Sequence, residues 1–215
     1  MMNKIFAIGD IHGCLDKLQR LIQDIAADPA KDTLLFIGDY IDRAGGGKDV
    51  VDYVLGLKKI HQKVICLCGN HEDMLIRYLE GMDEDMYLQN GGMMTLKAYG
   101  ISRADAPRAR KAKIPVDHLR FFESLLPYYE TDQFVFVHAG LLPGISLGGQ
   151  SSRDLQWIRQ EFIDSDYDFG KRVVFGHTHF SAPLITDNKI GIDTGAVYGG
   201  KLTCVELPTL KFYQV

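Results

Sequence analysis

The sequence predicts an α/β fold, a four-layer αββα sandwich of two mixed β-sheets flanked by helices and carrying a helical insertion. The first observation behind this is that short apolar, β-branched runs alternate with helical periodicity from Ile5 to Glu72. The second is that each of the first three apolar runs leads into glycine followed by a polar residue. The third is that short apolar runs follow one another from Phe134 onward with little helix between them, which suggests a second sheet.

Residues 5–8 read as a buried strand ending at Gly9-Asp10. Leu15, Leu18, Leu21, Ile22 and Ile25 recur at helical spacing, and Asp28-Pro29 stops that helix. Residues 34–37 form a second strand running into Gly38-Asp39, and Val50, Val51, Val54 and Leu57 mark one face of a second helix. Residues 64–67 form a third strand before Gly69-Asn70, and Glu72 opens a third helix. Ligands of open α/β sheets collect at the carboxyl ends of strands. Asp10, Asp39 and Asn70 are therefore expected to share one cleft. From about Gly81 to Leu126 the chain turns polar, Met-rich and helical, with Gly91-Gly92 and Pro107 as breakers. This stretch reads as an insertion walling the cleft within a single domain, 1–215. The remaining strands are expected at 134–137, 173–175, 184–186, 190–193, 202–207 and 210–213.

Hydrophobic residues make up 46% and charged residues 24% of 215 positions, as in a soluble globular protein with a sizeable core. A net charge of -4 argues against nucleic acid or a membrane surface as a bulk partner. The basic stretch Arg103, Arg108, Arg110, Lys111 and Lys113 is read as a solvated face rather than an anion-binding rim. Cys14, Cys66, Cys68 and Cys204 make no CxxC pair and are expected to be reduced, which suits the cytoplasm. No signal peptide or membrane-length apolar run is read in the chain. Nothing in the sequence sets an oligomeric state.

The chemistry lies in Asp10, His12, Asp39, Asn70, His138, His177 and His179, each of which follows an apolar run directly or within a few residues. Oxygen and imidazole donors without thiolates suit manganese, iron, zinc, cobalt or nickel. Seven donors exceed the needs of one tetrahedral zinc. They suffice for two ions if one carboxylate bridges, and Asp39 ends the middle of the first three strands. Two ions about 3.5–4 Å apart hold a hydroxide between them and clamp a phosphoryl group for in-line attack.

Gly9-Asp10-Ile11-His12-Gly13 resembles the first motif of the calcineurin-like metallophosphoesterases. Gly38-Asp39-Tyr40-Ile41-Asp42-Arg43, Gly69-Asn70-His71-Glu72, His138-Ala139-Gly140 and Gly176-His177-Thr178-His179 resemble the later ones, in the family's order. The Asp-Arg pair and the Asn-His-Glu run are similar to the phosphoprotein-phosphatase branch. The chain length and Trp157-Ile158-Arg159 look like its bacterial and phage serine/threonine protein phosphatases, and Thr194-Gly195-Ala196-Val197-Tyr198 resembles a further segment of that branch.

The resemblance implies two divalent metal ions, manganese first. Asp10, His12 and Asp39 would hold one ion, and Asp39, Asn70, His138 and His177 the other. His179 stays open between a further ligand and a hydrogen-bonding residue at a strand end. The resemblance makes His71 the general acid and Asp42 the carboxylate that orients it, with Glu72 a helix-start residue. Arg43, Asn70, Arg159 and Tyr198 would contact substrate. Two positions depart from the pattern. Ala44 replaces a usual glycine, and would be strained if its φ were positive. Cys68 stands where phage-type relatives often carry arginine.

The implied activity is that of a metal-dependent phosphatase, most simply a serine/threonine or dual-specificity protein phosphatase acting on a phosphorylated protein or a small phosphate ester. One alternative is a symmetrical dinucleoside tetraphosphate hydrolase, disfavoured because those relatives usually run longer. Another is a non-enzymatic scaffold, disfavoured because every ligand and the acid pair are present.

Overall fold

Strict alternation along the strands builds the layers. In the computed structural model, which describes residues 4–215, strands β1 (Ile5–Ile8), β2 (Thr33–Phe36) and β3 (Lys63–Cys66) run parallel. Helices α1 (Leu15–Ile25) and α2 (Gly47–Ile60) connect them, and α3 (Asn70–Leu79) follows β3. Four short helices come next: α4 (Glu84–Gln89), α5 (Met93–Ala98), α6 (Pro107–Lys113) and α7 (Val116–Glu123). The chain continues through β4 (Tyr128–Glu130), β5 (Phe134–Val137), α8 (Ser152–Trp157), α9 (Gln160–Ile163) and β6 (Arg172–Phe175). It ends with β7 (Leu184–Ile185), β8 (Lys189–Gly191), β9 (Asp193–Thr194), β10 (Lys201–Leu207) and β11 (Lys211–Gln214).

One mixed sheet has the order β11-β10-β1-β2-β3, with β9 paired to β10, and the other has the order β4-β5-β6-β8-β7. Ala7, Leu35, Ile37, Phe136, Val174 and Val205 point from both sheets into one shared core. Their neighbours Phe6, Ile8, Leu34 and Phe36 point outward against α1, α2 and α3. Val135, Val137, Val173 and Phe175 point outward against Leu155, Ile158 and Phe162 of the α8–α9 segment. Side chains alternate with period two, so strands that are apolar on both faces demand a layer on each side.

Two expectations need correction. Strands β10 and β11 were grouped with the second sheet, yet they join the first, with β10 antiparallel to β1 (Ile5 opposite Leu207, Ile8 opposite Cys204). Sheet membership follows from which edge is open, and β10 covers the edge that β1 would otherwise expose. The three-residue strand β4, Tyr-Tyr-Glu, was not anticipated. It is too short for a pattern.

The insertion leaves the end of α3 and returns at Leu126, whose N–H donates to the Cys66 carbonyl at 3.0 Å beside β3. The basic stretch serves it internally. Arg110 is buried, forks onto both Glu84 oxygens (2.8 and 3.0 Å) and donates to the Tyr78 carbonyl (2.9 Å), so α6 is tied to α3 and α4. Among the described residues all four cysteines are free, and no helix is long and apolar enough to cross a membrane.

Candidate active site

The carboxyl ends of the parallel strands of both sheets deliver the expected residues to one place. Asp10 follows β1, Asp39 follows β2, Asn70 follows β3, His138 follows β5 and His177 follows β6, all of them buried. Asp39 faces two donor groups with separate oxygens. Its Oδ2 lies 3.2 Å from His12 Nε2, and its Oδ1 lies 3.5 Å from His138 Nε2. Asn70 Oδ1 sits 3.0 Å from both His138 Nε2 and His177 Nδ1. The tight donor clusters are thus His12, Asp39 and His71 on one side and Asp39, His138 and His177 on the other.

Cations fit these clusters because the protein alone leaves them electrostatically unsatisfied. His12 Nδ1–H donates to the Ile41 carbonyl (2.8 Å), and His138 Nδ1–H donates to the Ile37 carbonyl (2.9 Å). The His138 ring therefore turns its Nε2 lone pair toward the Asp39 carboxylate and the Asn70 amide oxygen, an arrangement that repels unless a cation lies among them, and the His12 ring turns its own toward Asp39 beside the Arg43 guanidinium. Burial lowers the His177 pKa to about 2, so that ring is neutral and free to ligate, and among the described residues its Nε2 has no partner. Burial and the charges of Asp193 and Asp39 push the Asp10 carboxyl well above its ordinary range. The buried carboxylates of Asp10, Asp39 and Asp193 converge here against the single positive charge of Arg43, an excess of negative charge that a divalent centre neutralises.

The backbone around the donors is bent into a region that side chains avoid. His12, Asp39, Asp42, Arg43 and His177 all have φ between 46° and 66°. Such strain costs roughly 1–3 kcal/mol per residue and persists only where the surroundings fix it. Glu72 is one such fixture. Its carboxylate accepts the N–H groups of Asp39, Tyr40, Ile41 and Gly69, holding the β2 loop and capping α3 together. Ala44 escapes the strain, because the left-handed turn falls on Asp42 and Arg43 instead. The glycines are required by contact. A Cβ on Gly69 would lie 2.1 Å from Asp39 Oδ1, and one on Gly176 would lie 2.1 Å from Asp10 Oδ1.

His71 Nδ1 is 2.7 Å from Asp42 Oδ2, and both side chains are fully buried. Among the described residues its Nε2 has no hydrogen-bond partner, and its ring packs edge-on against His12 with centroids 4.7 Å apart. The other Asp42 oxygen accepts from Tyr87 Oη (2.9 Å) and Thr95 Oγ1 (2.5 Å), while the Asp42 N–H donates to Thr95 Oγ1 (3.0 Å). Tyr87 and Thr95 come from α4 and α5. They were missed because 45 and 53 residues separate them from Asp42. Asp193 was missed as well. It reaches the cleft past the carboxyl end of β8, where its apolar run followed by a polar residue was the available signal.

Arg43 Nη1 donates to His12 Nε2 at 3.1 Å, where it supplies positive charge to the first cluster. Arg159 is exposed on the far wall, its Nη1 3.2 Å from Thr178 Oγ1 and 3.4 Å from the His177 carbonyl. Tyr198 is 60% exposed and stacks between the Arg43 guanidinium (5.4 Å) and the His179 ring (5.3 Å). The structure does not bring His179 into either tight cluster. It stands exposed and packs against the Tyr198 ring. Asp10 also lies outside the tight clusters, beside them, accepting the His177 N–H at 3.0 Å.

The chain is 27% identical to an asymmetrical bis(5'-nucleosyl)-tetraphosphatase of Anoxybacillus flavithermus, over 97% of this chain and 92% of that one. A solved structure provisionally named a diadenosine tetraphosphatase superposes with a TM-score of 0.76 at 22% identity, covering 100% and 94% of the two chains. A serine/threonine phosphatase from Saccharomyces cerevisiae superposes at 0.69 with 16% identity, covering 95% and 72%. At those identities the two structures bear on the fold alone. The family model described as calcineurin-like phosphoesterase matches residues 3–181. With that match over most of its length, and with two donor clusters sharing Asp39 at the strand ends, the chain belongs to the calcineurin-like phosphoesterases, metal-dependent phosphoester hydrolases with a binuclear divalent centre.

Proposed function

We propose that this chain hydrolyses dinucleoside tetraphosphates, with His71 as general acid, Asp42 as its positioning carboxylate and manganese as the working metal. The observation that carries the chemistry is the buried His71–Asp42 pair, whose free Nε2 borders the donor clusters. The substrate class is supported by the curated relative named for it, which this chain matches over nearly the whole of both lengths. The longer chains expected of symmetrical hydrolases are not the comparison here, because that relative is named asymmetrical. A phosphorylated protein, the first reading from the motifs, is joined beyond them only by neighbours whose likeness is one of fold.

Two cations, when bound, lower the pKa of water and neutralise phosphoryl charge. Asp39, with His12 and Asp10 on one side and Asn70, His138 and His177 on the other, would hold them. Arg43 and Arg159 suit the phosphoryl oxygens, since a planar guanidinium matches two of them at once. As the phosphorus–oxygen bond breaks, its electron pair goes to the leaving oxygen, which takes the proton from His71 Nε2. Asp42 steadies the positive ring this requires. His179 is assigned to the rim with Tyr198 and not to a cation.

Thr95→Val should expose the dependence of this pair on the insertion. It leaves the Asp42 N–H without a partner and one carboxylate oxygen short of a donor, which costs about 1–3 kcal/mol. Turnover of an alkyl phosphate should fall more than that of an aryl phosphate, and Thr95→Ser should restore both. Equal losses on the two esters would make Thr95 merely structural.

The substrate test uses metal-stripped protein refilled with manganese and offered an aryl phosphate, a phosphopeptide and a dinucleoside tetraphosphate, with products separated by chromatography. Preference for the dinucleotide with triphosphate and monophosphate products supports the asymmetrical reaction. Two diphosphates would mean symmetrical cleavage. Preference for the phosphopeptide would return the enzyme to the protein phosphatases, and metal-dependent activity on none of them would favour a scaffold.

A further inference from the structure

An open cleft of about 980 Å³ lies between α3 and the α8–α9 segment, lined by Asp73, Arg77, Met86, Arg153, Trp157 and Arg159. Both walls start at the donor clusters. On one wall, Asn70, Asp73 and Arg77 follow one another at i, i+3 and i+7, so they share a face of α3 that begins at the donor residue Asn70. At 1.5 Å per residue this face extends about 10 Å outward. On the other wall, the Trp157 ring meets His177 edge-on with centroids 5.9 Å apart, and Arg159 reaches the His177 carbonyl.

The lining combines groups that a nucleoside phosphate uses, three arginines and a tryptophan, with four carboxylates, Asp73, Asp83, Asp154 and Glu161. Arg153 and Arg159 have no carboxylate within ion-pair distance among the described residues, which leaves two guanidinium groups for phosphate oxygens. Arg77 is already neutralised by Asp83. Trp157 is half-buried and Met86 is 40% exposed, so a flat ring has an indole and a soft thioether to pack against. Asp73 and Asp83 are acceptors suited to ribose hydroxyls or an exocyclic amine. The volume is at the upper end of the roughly 300–1,000 Å³ typical of small-molecule sites. Hydrolysis of a phosphate monoester needs no such extension.

The geometry points to this cleft as the subsite for one nucleoside phosphate half of the substrate, with Arg153 on its phosphates and Trp157 against its base. The inference rests on the dinucleotide reading above and gives that reading a place in the fold. Arg153 lies apart from the donor clusters and the His71–Asp42 pair, so its replacement should leave aryl phosphate turnover within about twofold of wild type.

Arg153→Glu in the manganese-loaded enzyme should lower kcat/KM for a dinucleoside tetraphosphate tenfold or more, mainly through KM. A binding readout comes from Trp157, the single tryptophan in the chain. Adenosine triphosphate should quench its emission saturably and inorganic phosphate should not, and Arg153→Glu should move the quenching midpoint at least tenfold higher. If wild type cleaves the dinucleotide but neither its KM nor the quenching responds to Arg153→Glu, the subsite is wrong and the substrate reading survives. If wild type does not cleave the dinucleotide, the substrate reading itself fails. Quenching by a phosphopeptide and not by the nucleotide would overturn the nucleoside assignment in favour of a peptide.

Discussion

Asp39→Asn is expected to strip both cations from the centre and abolish turnover. Among the described residues Asp39 is the one side chain that enters both donor clusters, offering Oδ2 toward His12 and Oδ1 toward His138. Asparagine keeps the volume but loses the charge, and its amide nitrogen faces one cluster with a donor where a lone pair is required. The loss of affinity should exceed the 10- to 100-fold that removal of an outer partner of a metal ligand typically causes. Metal content after dialysis, measured by mass spectrometry, is the direct check. Loss of one ion with the other retained would remove the bridging role. The protein should still fold, because the His71 N–H that donates to Asp39 Oδ1 at 3.2 Å keeps an acceptor if the amide oxygen takes that side.

His71→Asn should have the opposite signature, with metal content kept and catalysis lost. General acid catalysis is worth about 10²–10⁴ in rate, so alkyl phosphate turnover should fall by that order. An aryl phosphate, whose leaving oxygen needs less protonation, should lose much less. Wild-type turnover of the alkyl ester in this variant would eliminate His71 as the acid. A large fall in bound metal would instead assign His71 a ligand's role, a reading its place in the first donor cluster makes worth separating. The two variants therefore resolve the centre by different readouts, one by metal content and the other by leaving-group dependence.

The sequence by itself determined the outline of the chemistry. Asp10, Asp39, Asn70, His138 and His177 stand at strand ends as expected because each follows an apolar run directly or within a few residues, and strand ends are local features. The His71–Asp42 pair was legible through resemblance. Its hydrogen bond spans 29 residues, which spacing alone does not reveal. The layered fold was legible too, since strands apolar on both faces need cover on both sides.

Only the tertiary structure decided the rest. It placed β10 and β11 on the first sheet, because pairing depends on which edge is open in space. It buried Arg110 as a tie within the insertion and placed the backbone strain on Asp42 and Arg43 and not on Ala44. It also brought Tyr87 and Thr95 onto Asp42 and carried the α3 face alongside Trp157 to form the cleft. These contacts join residues distant in the chain, and their partners are set by packing. A sequence displays the periodicity of each element, whereas the meeting of two elements depends on the shape of everything between them.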